Sequence, residues 1–175
     1  MLISRLAFLL PYEVKMLQAS DAEAILILQK GHPNYHTYLL DHPVTKADIL
    51  TDLTSLPDRS RAADKFYLGF YQDKKLIALV DIVLSFPDNL SAWLGLIMVD
   101  QALVKQGIGQ TIIKALKHAL KREGFKQLLA APFLDEAMQN FFAQAGFEVQ
   151  GKILLGNKAD GTPVVGLLQQ TSLTD

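Results

Sequence analysis

Between residues 91 and 124 an apolar run, a short polar loop with two glycines and a long amphipathic helix follow one another, and this stretch constrains the fold more than any other. It reads SAWLGLIMVDQALVKQGIGQTIIKALKHALKREG. Trp93, Leu94, Leu96, Ile97, Met98 and Val99 are too few for a buried helix and too continuous for a half-exposed strand, so they predict a strand covered on both faces. Ile108, Ile112, Ala115, Leu116 and Ala119 recur at helical spacing, while Gln110, Lys114, Lys117, His118, Lys121 and Arg122 take the opposite side. Cations crowd the last turn, and Gly124 offers the left-handed position that ends a helix. At the other end, free N–H groups and the positive end of the helix dipole are approached through Gly107 and Gly109, and such a terminus can receive a phosphate.

Three readings compete for the loop. A Walker-type phosphate loop needs Lys-Ser/Thr after its second glycine, where this chain has Gln110-Thr111. A dinucleotide fingerprint places its glycines at the strand end, whereas here residues 100–106 intervene and Ile112 stands where the third glycine belongs. The third reading is that Gly107 and Gly109 only turn the chain into the helix; the residues alone leave this open beside a phosphate cradle.

The rest of the chain reads as follows. Residues 1–11 are apolar around Leu6 to Leu10, but Arg5 interrupts them and no small-x-small cleavage pattern follows, so they are expected to form an N-terminal strand or arm of a cytoplasmic protein. They are too short to span a bilayer. Residues 12–19 suit a first strand, and Ser20 with Glu23 reads as a capping box opening a helix to Lys30. Gly31-His32-Pro33 breaks that helix, an irregular or short helical piece follows, and another helix starts at Thr45. Residues 65–71 alternate, with Phe66, Leu68 and Phe70 on one face and Tyr67 and Tyr71 on the other; a turn at residues 72–75 leads to a strand over 76–85. Strands near 126–131, 147–155 and 164–169 and a helix from Asp135 complete the order. The expected fold is α/β, a mixed, mostly antiparallel sheet with helices on both faces, in one domain spanning residues 1–175. Half of the 175 residues are apolar, enough for a single sizeable core.

The strand, the loop Lys105-Gln106-Gly107-Ile108-Gly109 and its helix resemble the acyl-CoA-binding signature of the GNAT acyltransferase superfamily. Downstream, DEAMQNFFAQAGF at residues 135–147 looks like that family's closing helix with its Gly-Phe exit, in the family's order and at a similar separation. The resemblance implies acetyl-CoA as co-substrate and an N-acetyltransferase acting on a primary amine of a small molecule or peptide. It implies that the backbone of Ile97, Met98 and Val99 holds the pantetheine arm. Lys105, Gln106, Gly107, Ile108, Gly109 and Gln110 would wrap the pyrophosphate, with Asp135 nearby, and Tyr35, His36 and Tyr38 would line the acceptor pocket. Three positions depart from the family pattern: Val104 stands for Arg or Gln, Asp135 for Asn, and Phe142 for the tyrosine usually taken as general acid. Phe142 keeps a second reading in play, an acyl-CoA-binding sensor without turnover.

Asp81 breaks the apolar pattern of residues 76–84. It reads either as the catalytic carboxylate meeting an acceptor amine or as a structural carboxylate paired with a buried donor. His32, His36, His42 and Asp41 do not make a metal site, because Pro33 and Pro43 spoil the helical register that a His pair needs. A net charge of −1 with no Lys/Arg run beyond two residues argues against nucleic acid and anionic membrane as partners, and a homodimer is left open. Without cysteine there is no disulfide and no thiol nucleophile.

Overall fold

A computed structural model describes residues 1–174. In chain order the elements are α1 (Leu2–Leu9), β1 (Glu13–Met16), α2 (Ala22–Lys30), α3 (Pro33–Thr37), α4 (Lys46–Asp52), β2 (Lys65–Gln72), β3 (Lys75–Leu84), β4 (Ser91–Val99), α5 (Ile108–Arg122), β5 (Gln127–Ala130), α6 (Glu136–Gln144), β6 (Glu148–Asn157) and β7 (Pro163–Ser172). The strands form one sheet in the order β1-β2-β3-β4-β5-β7-β6. Every neighbouring pair is antiparallel except β4 with β5, which is the mixed sheet the sequence predicts.

Alternation sorts the strand residues onto two cores. Leu68, Phe70, Ala78, Val80 and Ile82 pack with Leu2, Leu6, Ile112 and Leu116, so α1 and α5 cover one face. Tyr67 and Leu79 pack with Ile25, Leu28 and Ile49, so α2 and α4 cover the other. In β4 the sorting reverses midway: Ala92 and Leu94 join the first core, Leu96 and Met98 the second. The cause is a bulge, since Asp81 pairs with Leu96 and Ile82 with Leu94, leaving Gly95 as an extra residue without a partner on β3.

β4 also outruns its other neighbour. Its parallel pairing with β5 covers only Ser91 to Leu94 against Gln127 to Ala130, and Pro132, lacking an N–H, follows two residues later. From Gly95 to Val99 that edge of β4 faces a split in the sheet.

Two local expectations are corrected. Residues 2–9 form a helix rather than a strand or arm: Leu2, Leu6 and Leu10 recur every four residues and are buried, while Phe8 is 89% exposed and masked that spacing in the sequence. The capping box lies two residues earlier than Ser20 and Glu23, where the Gln18 N–H donates to Asp21 Oδ2 at 2.8 Å. The turn after β2 forms as predicted without glycine, with Asp73 and Lys74 both left-handed at φ 50° and 65°.

Gly69 in β2 leaves room for Leu17 and Leu76 in the core on the α2 and α4 face, because an added Cβ would sit 2.6 Å from Leu17 Cδ2 and 2.9 Å from Leu76 Cδ1. Gly69→Ala is expected to lower stability by about 1–3 kcal/mol through overpacking. Urea unfolding measures this, and an unchanged midpoint would contradict the packing described.

Candidate functional site

Three hollows run along the split and share walls. The first, of about 230 Å³, is lined by Tyr35, Asp52, Tyr67, Asp81, Trp93, Gly95, Phe133 and Phe142 among others. The second, of about 550 Å³, lies between residues 31–38 and the start of α6 and shares Tyr35, Ile97 and Met138 with the first. The third, of about 570 Å³, lies over residues 103–110 and shares Ala137 with the second. Together they make a trough from the glycine loop to Asp81.

At the loop end the backbone is arranged as an anion cradle. Lys105 and Gly107 are left-handed at φ 61° and 82°, and Gly107 is the N-cap of α5. No acceptor among the described residues takes the N–H groups of Lys105, Gln106 or Gly107, and the first turn of α5 adds its own free N–H groups. Gly109 is required for a different reason: a Cβ there would lie 2.8 Å from the Phe141 ring, so it lets α5 and α6 close on each other. The Gln110 side chain donates to the Phe141 carbonyl at 2.9 Å, which ties it to α6.

Along the middle, Asp100 N–H donates to Ile77 O of β3, so alternation turns the backbone groups of Ile97 and Val99 away from β3 and toward the split. The Val99 carbonyl accepts from His32 Nε2–H at 2.6 Å. Asp135 caps α6, its Oδ1 accepting from Met138 N–H at 2.9 Å.

At the far end, Asp81 faces Tyr67 across the β2–β3 register. Its Oδ2 accepts from Lys65 Nζ at 3.0 Å, and Lys65 Nζ also donates to the Ser55 carbonyl at 2.6 Å. Asp81 Oδ1 is buried without a hydrogen-bond partner among the described residues. Burial pushes the Asp81 carboxyl above the ordinary range, and Lys65 opposes that rise. Asp52, at the last turn of α4, lines the same hollow while keeping its outer edge in solvent. Desolvation first, then the charge of Asp81, raises it to about 6, with Lys65 opposing. Burial and these two carboxylates hold the Tyr35 and Tyr67 hydroxyls protonated, and Tyr67 Oη accepts from Gln29 Nε2 at 3.1 Å.

The structure brings together most residues singled out in the sequence. Ile97, Met98, Val99, Lys105, Gly107, Ile108, Gly109, Gln110, Asp135, Tyr35 and Tyr38 line the trough, with Tyr38 stacked on Phe133 at 4.9 Å between ring centres. Gln106 is exposed on the outside of the loop. His36 is corrected: it is 6% exposed, stands edge-on to Tyr35 and lines a separate hollow with His42 behind α3. Phe142 is 3% exposed, packs on Phe147 at 5.0 Å and also lines the first hollow. Lys65 and Asp52 were not anticipated. Lys65 was not legible from the turn alone: counting back from residues 73–74 pairs Tyr67 with Val80, and only the bulge between Phe70 and Tyr71 shifts the register to Tyr67 with Asp81 and puts residue 65 diagonal to 81 on the same face. Asp52 carried no signal either, since only the docking of α4 brings it over the sheet.

A sheet split over a glycine loop places the protein among acyltransferase folds. Residues 32–147 match the Acetyltransferase (GNAT) family, and the chain belongs to that family. An acetyltransferase from Thermus thermophilus superposes with a TM-score of 0.72 at 17% identity, over 94% of this chain and 98% of that one. The ribosomal-protein-S18-alanine N-acetyltransferase from Escherichia coli gives 0.66 at 16%, over 94% and 95%. A phosphinothricin acetyltransferase from Sinorhizobium meliloti, in complex with AcCoA, gives 0.66 at 16%, over 93% and 89%. Comparison with curated proteins finds no match to the chain. Among the described residues no cluster of three or more acidic or histidine side chains suits a metal ion, and no helix is long and apolar enough to cross a membrane.

Lys65 and Asp81 are 6% and 19% exposed at their side chains, so removing the cation strands a buried carboxylate. Lys65→Met is expected to cost about 3–5 kcal/mol at neutral pH. Because burial raises the folded pKa of Asp81, the carboxylate takes a proton as pH falls and the cost shrinks from neutral to acidic pH. Urea unfolding at neutral and at acidic pH measures the difference, and a pH-independent loss would contradict this pairing.

Proposed function

We propose that the protein transfers an acetyl group from acetyl-CoA to a primary amine of a small molecule or peptide, by direct attack of the amine on the thioester. The observation that carries this reading is the continuous trough, with an anion cradle at one end and a carboxylate pair at the other. Its chemistry suits coenzyme A: unpaired N–H groups and the α5 dipole for the diphosphate, then the outward backbone of Ile97 and Val99 for an amide-bearing arm. When bound, acetyl-CoA supplies the acyl carbon that the amine attacks.

The chain's own residues do the rest. Residues 105–110 hold the diphosphate, each charge-assisted contact contributing up to about 1–2 kcal/mol. His32 yields the Val99 carbonyl to the arm. The bulge at Gly95 re-aims the backbone of β4 beside the first hollow, where an N–H donor stabilises the developing oxyanion. Asp81, set by Lys65, receives the ammonium of the acceptor beside Tyr67 and Trp93. Phe142 donates no proton. A thiol has a pKa of about 8.5, so its thiolate leaves without a dedicated acid, at a loss on the order of 10²-fold in rate.

Phe142 also supports the second reading, an acyl-CoA sensor without turnover. The two readings separate when acetyl-CoA is incubated with a panel of primary amines and free thiol is followed: release supports the enzyme, and CoA binding without release for any amine supports the sensor. Gly107→Asp is expected to weaken CoA binding at least about tenfold, because the left-handed position is strained and the carboxylate meets the diphosphate. An unchanged calorimetric affinity would remove the loop from the site.

A further inference from the structure

The first hollow holds two carboxylates in unlike settings. Asp81, from the middle of β3, is fixed: Lys65 Nζ lies 3.0 Å from its Oδ2 and is itself anchored on the Ser55 carbonyl. Asp52, from the end of α4, has no hydrogen bond or ion pair among the described residues and reaches solvent at the mouth of the hollow. A group that holds an ammonium must stay charged and stationary. One that accepts a proton needs an open lone pair and a route by which to return the proton to water.

We infer that Asp52 takes the proton from the acceptor ammonium while Asp81, held by Lys65, keeps that ammonium in place. This rests on the reading of the site as an amine acetyltransferase. In the step, one N–H proton of the ammonium passes to Asp52 and the nitrogen lone pair forms the C–N bond to the acyl carbon. The C–S bond breaks with its electron pair on sulfur, and a second proton from nitrogen neutralises the thiolate. Asp52 then gives its proton to water.

The surroundings of Asp52 suit the task. It faces Asp81 from β3, Lys65 from β2 and Asp48 one turn earlier on α4, with the Tyr35 and Tyr67 hydroxyls nearby. Asp48 is engaged by Thr45 and His42 and does not compete for the substrate. Desolvation and Asp81 raise Asp52 to about 6, so it is an anion at neutral pH yet more basic than an ordinary aspartate. Below that pH it already carries a proton and the rate must fall.

The test uses a primary amine that the full-length protein acetylates, with kcat/KM followed between about pH 5 and 9 for the parent, Asp52→Asn and Asp52→Glu. The parent should lose activity about tenfold per unit below pH 6. Asp52→Asn should fall by about 10²- to 10³-fold and lose that limb, while Asp52→Glu restores both the limb and part of the rate. Melting temperature and CoA affinity should be kept in both variants, since Asp52 is tied to nothing. If Asp52→Asn retained the acidic limb and a rate within about threefold of the parent, the inference would be overturned while the acetyltransferase reading stood. A parent that released thiol with no amine would overturn both.

Discussion

The parting of β4 from β5 is the constraint on which the rest of this structure depends. β4 has nine residues and β5 four, so half of an internal strand has a row of peptide groups with no strand beside it. Peptide groups in the interior of a sheet are costly to leave unpaired, and the fold answers only in part, with the His32 imidazole on the Val99 carbonyl. The remaining groups ask for an extended partner carrying amides. The same parting brings the N-terminus of α5 to the lower end of the split, where its unpaired N–H groups have the same unmet requirement for an anion. Strand edge and helix end thus leave two unmet requirements along one trough.

Electrostatics organise the opposite end. Asp81 lies between Tyr67 on β2 and Leu96 on β4, in a row that would otherwise be apolar, and Lys65 is the cation that makes its burial tolerable. Two carboxylates and one ammonium leave a net negative charge in a hollow walled by Tyr35, Trp93 and Phe133. A cation placed there gains both charge and ring faces. The tyrosine hydroxyls, kept protonated by burial and by the carboxylates, remain hydrogen-bond donors.

Long periodic segments made the architecture legible from sequence. The 15-residue stripe of α5, the alternation of β2 and the apolar run of β4 each satisfy one spacing rule over enough residues to exclude the others. α1 was misread because Phe8 and Leu9 are apolar without being buried, so its four-residue repeat hid inside a continuous run. The loop was legible because Gly107 and Gly109 carry separate demands, a left-handed backbone at one and contact with Phe141 at the other. His36 was misplaced because adjacent aromatic residues on a short helix point to different sides, so Tyr35 enters the trough and His36 turns away.

Gly95 shows why the acidic groups of this site come from β3 and α4 although β4 itself has none between Trp93 and Val99. As the extra residue of the bulge, it breaks the alternation at the point where a side chain would meet the hollow. A Cβ there would lie 3.5 Å from Asp81 Oδ2, in ordinary contact, but any atom beyond it would extend over the carboxylate or into the hollow. With only hydrogen at that position, the Asp81 carboxylate can lie against the β4 backbone, and the backbone itself stays open to the hollow. A single residue without a side chain thus lies between the β4 backbone and the Asp81 carboxylate of β3, and on the proposed reading the acyl group and the amine would approach each other across it.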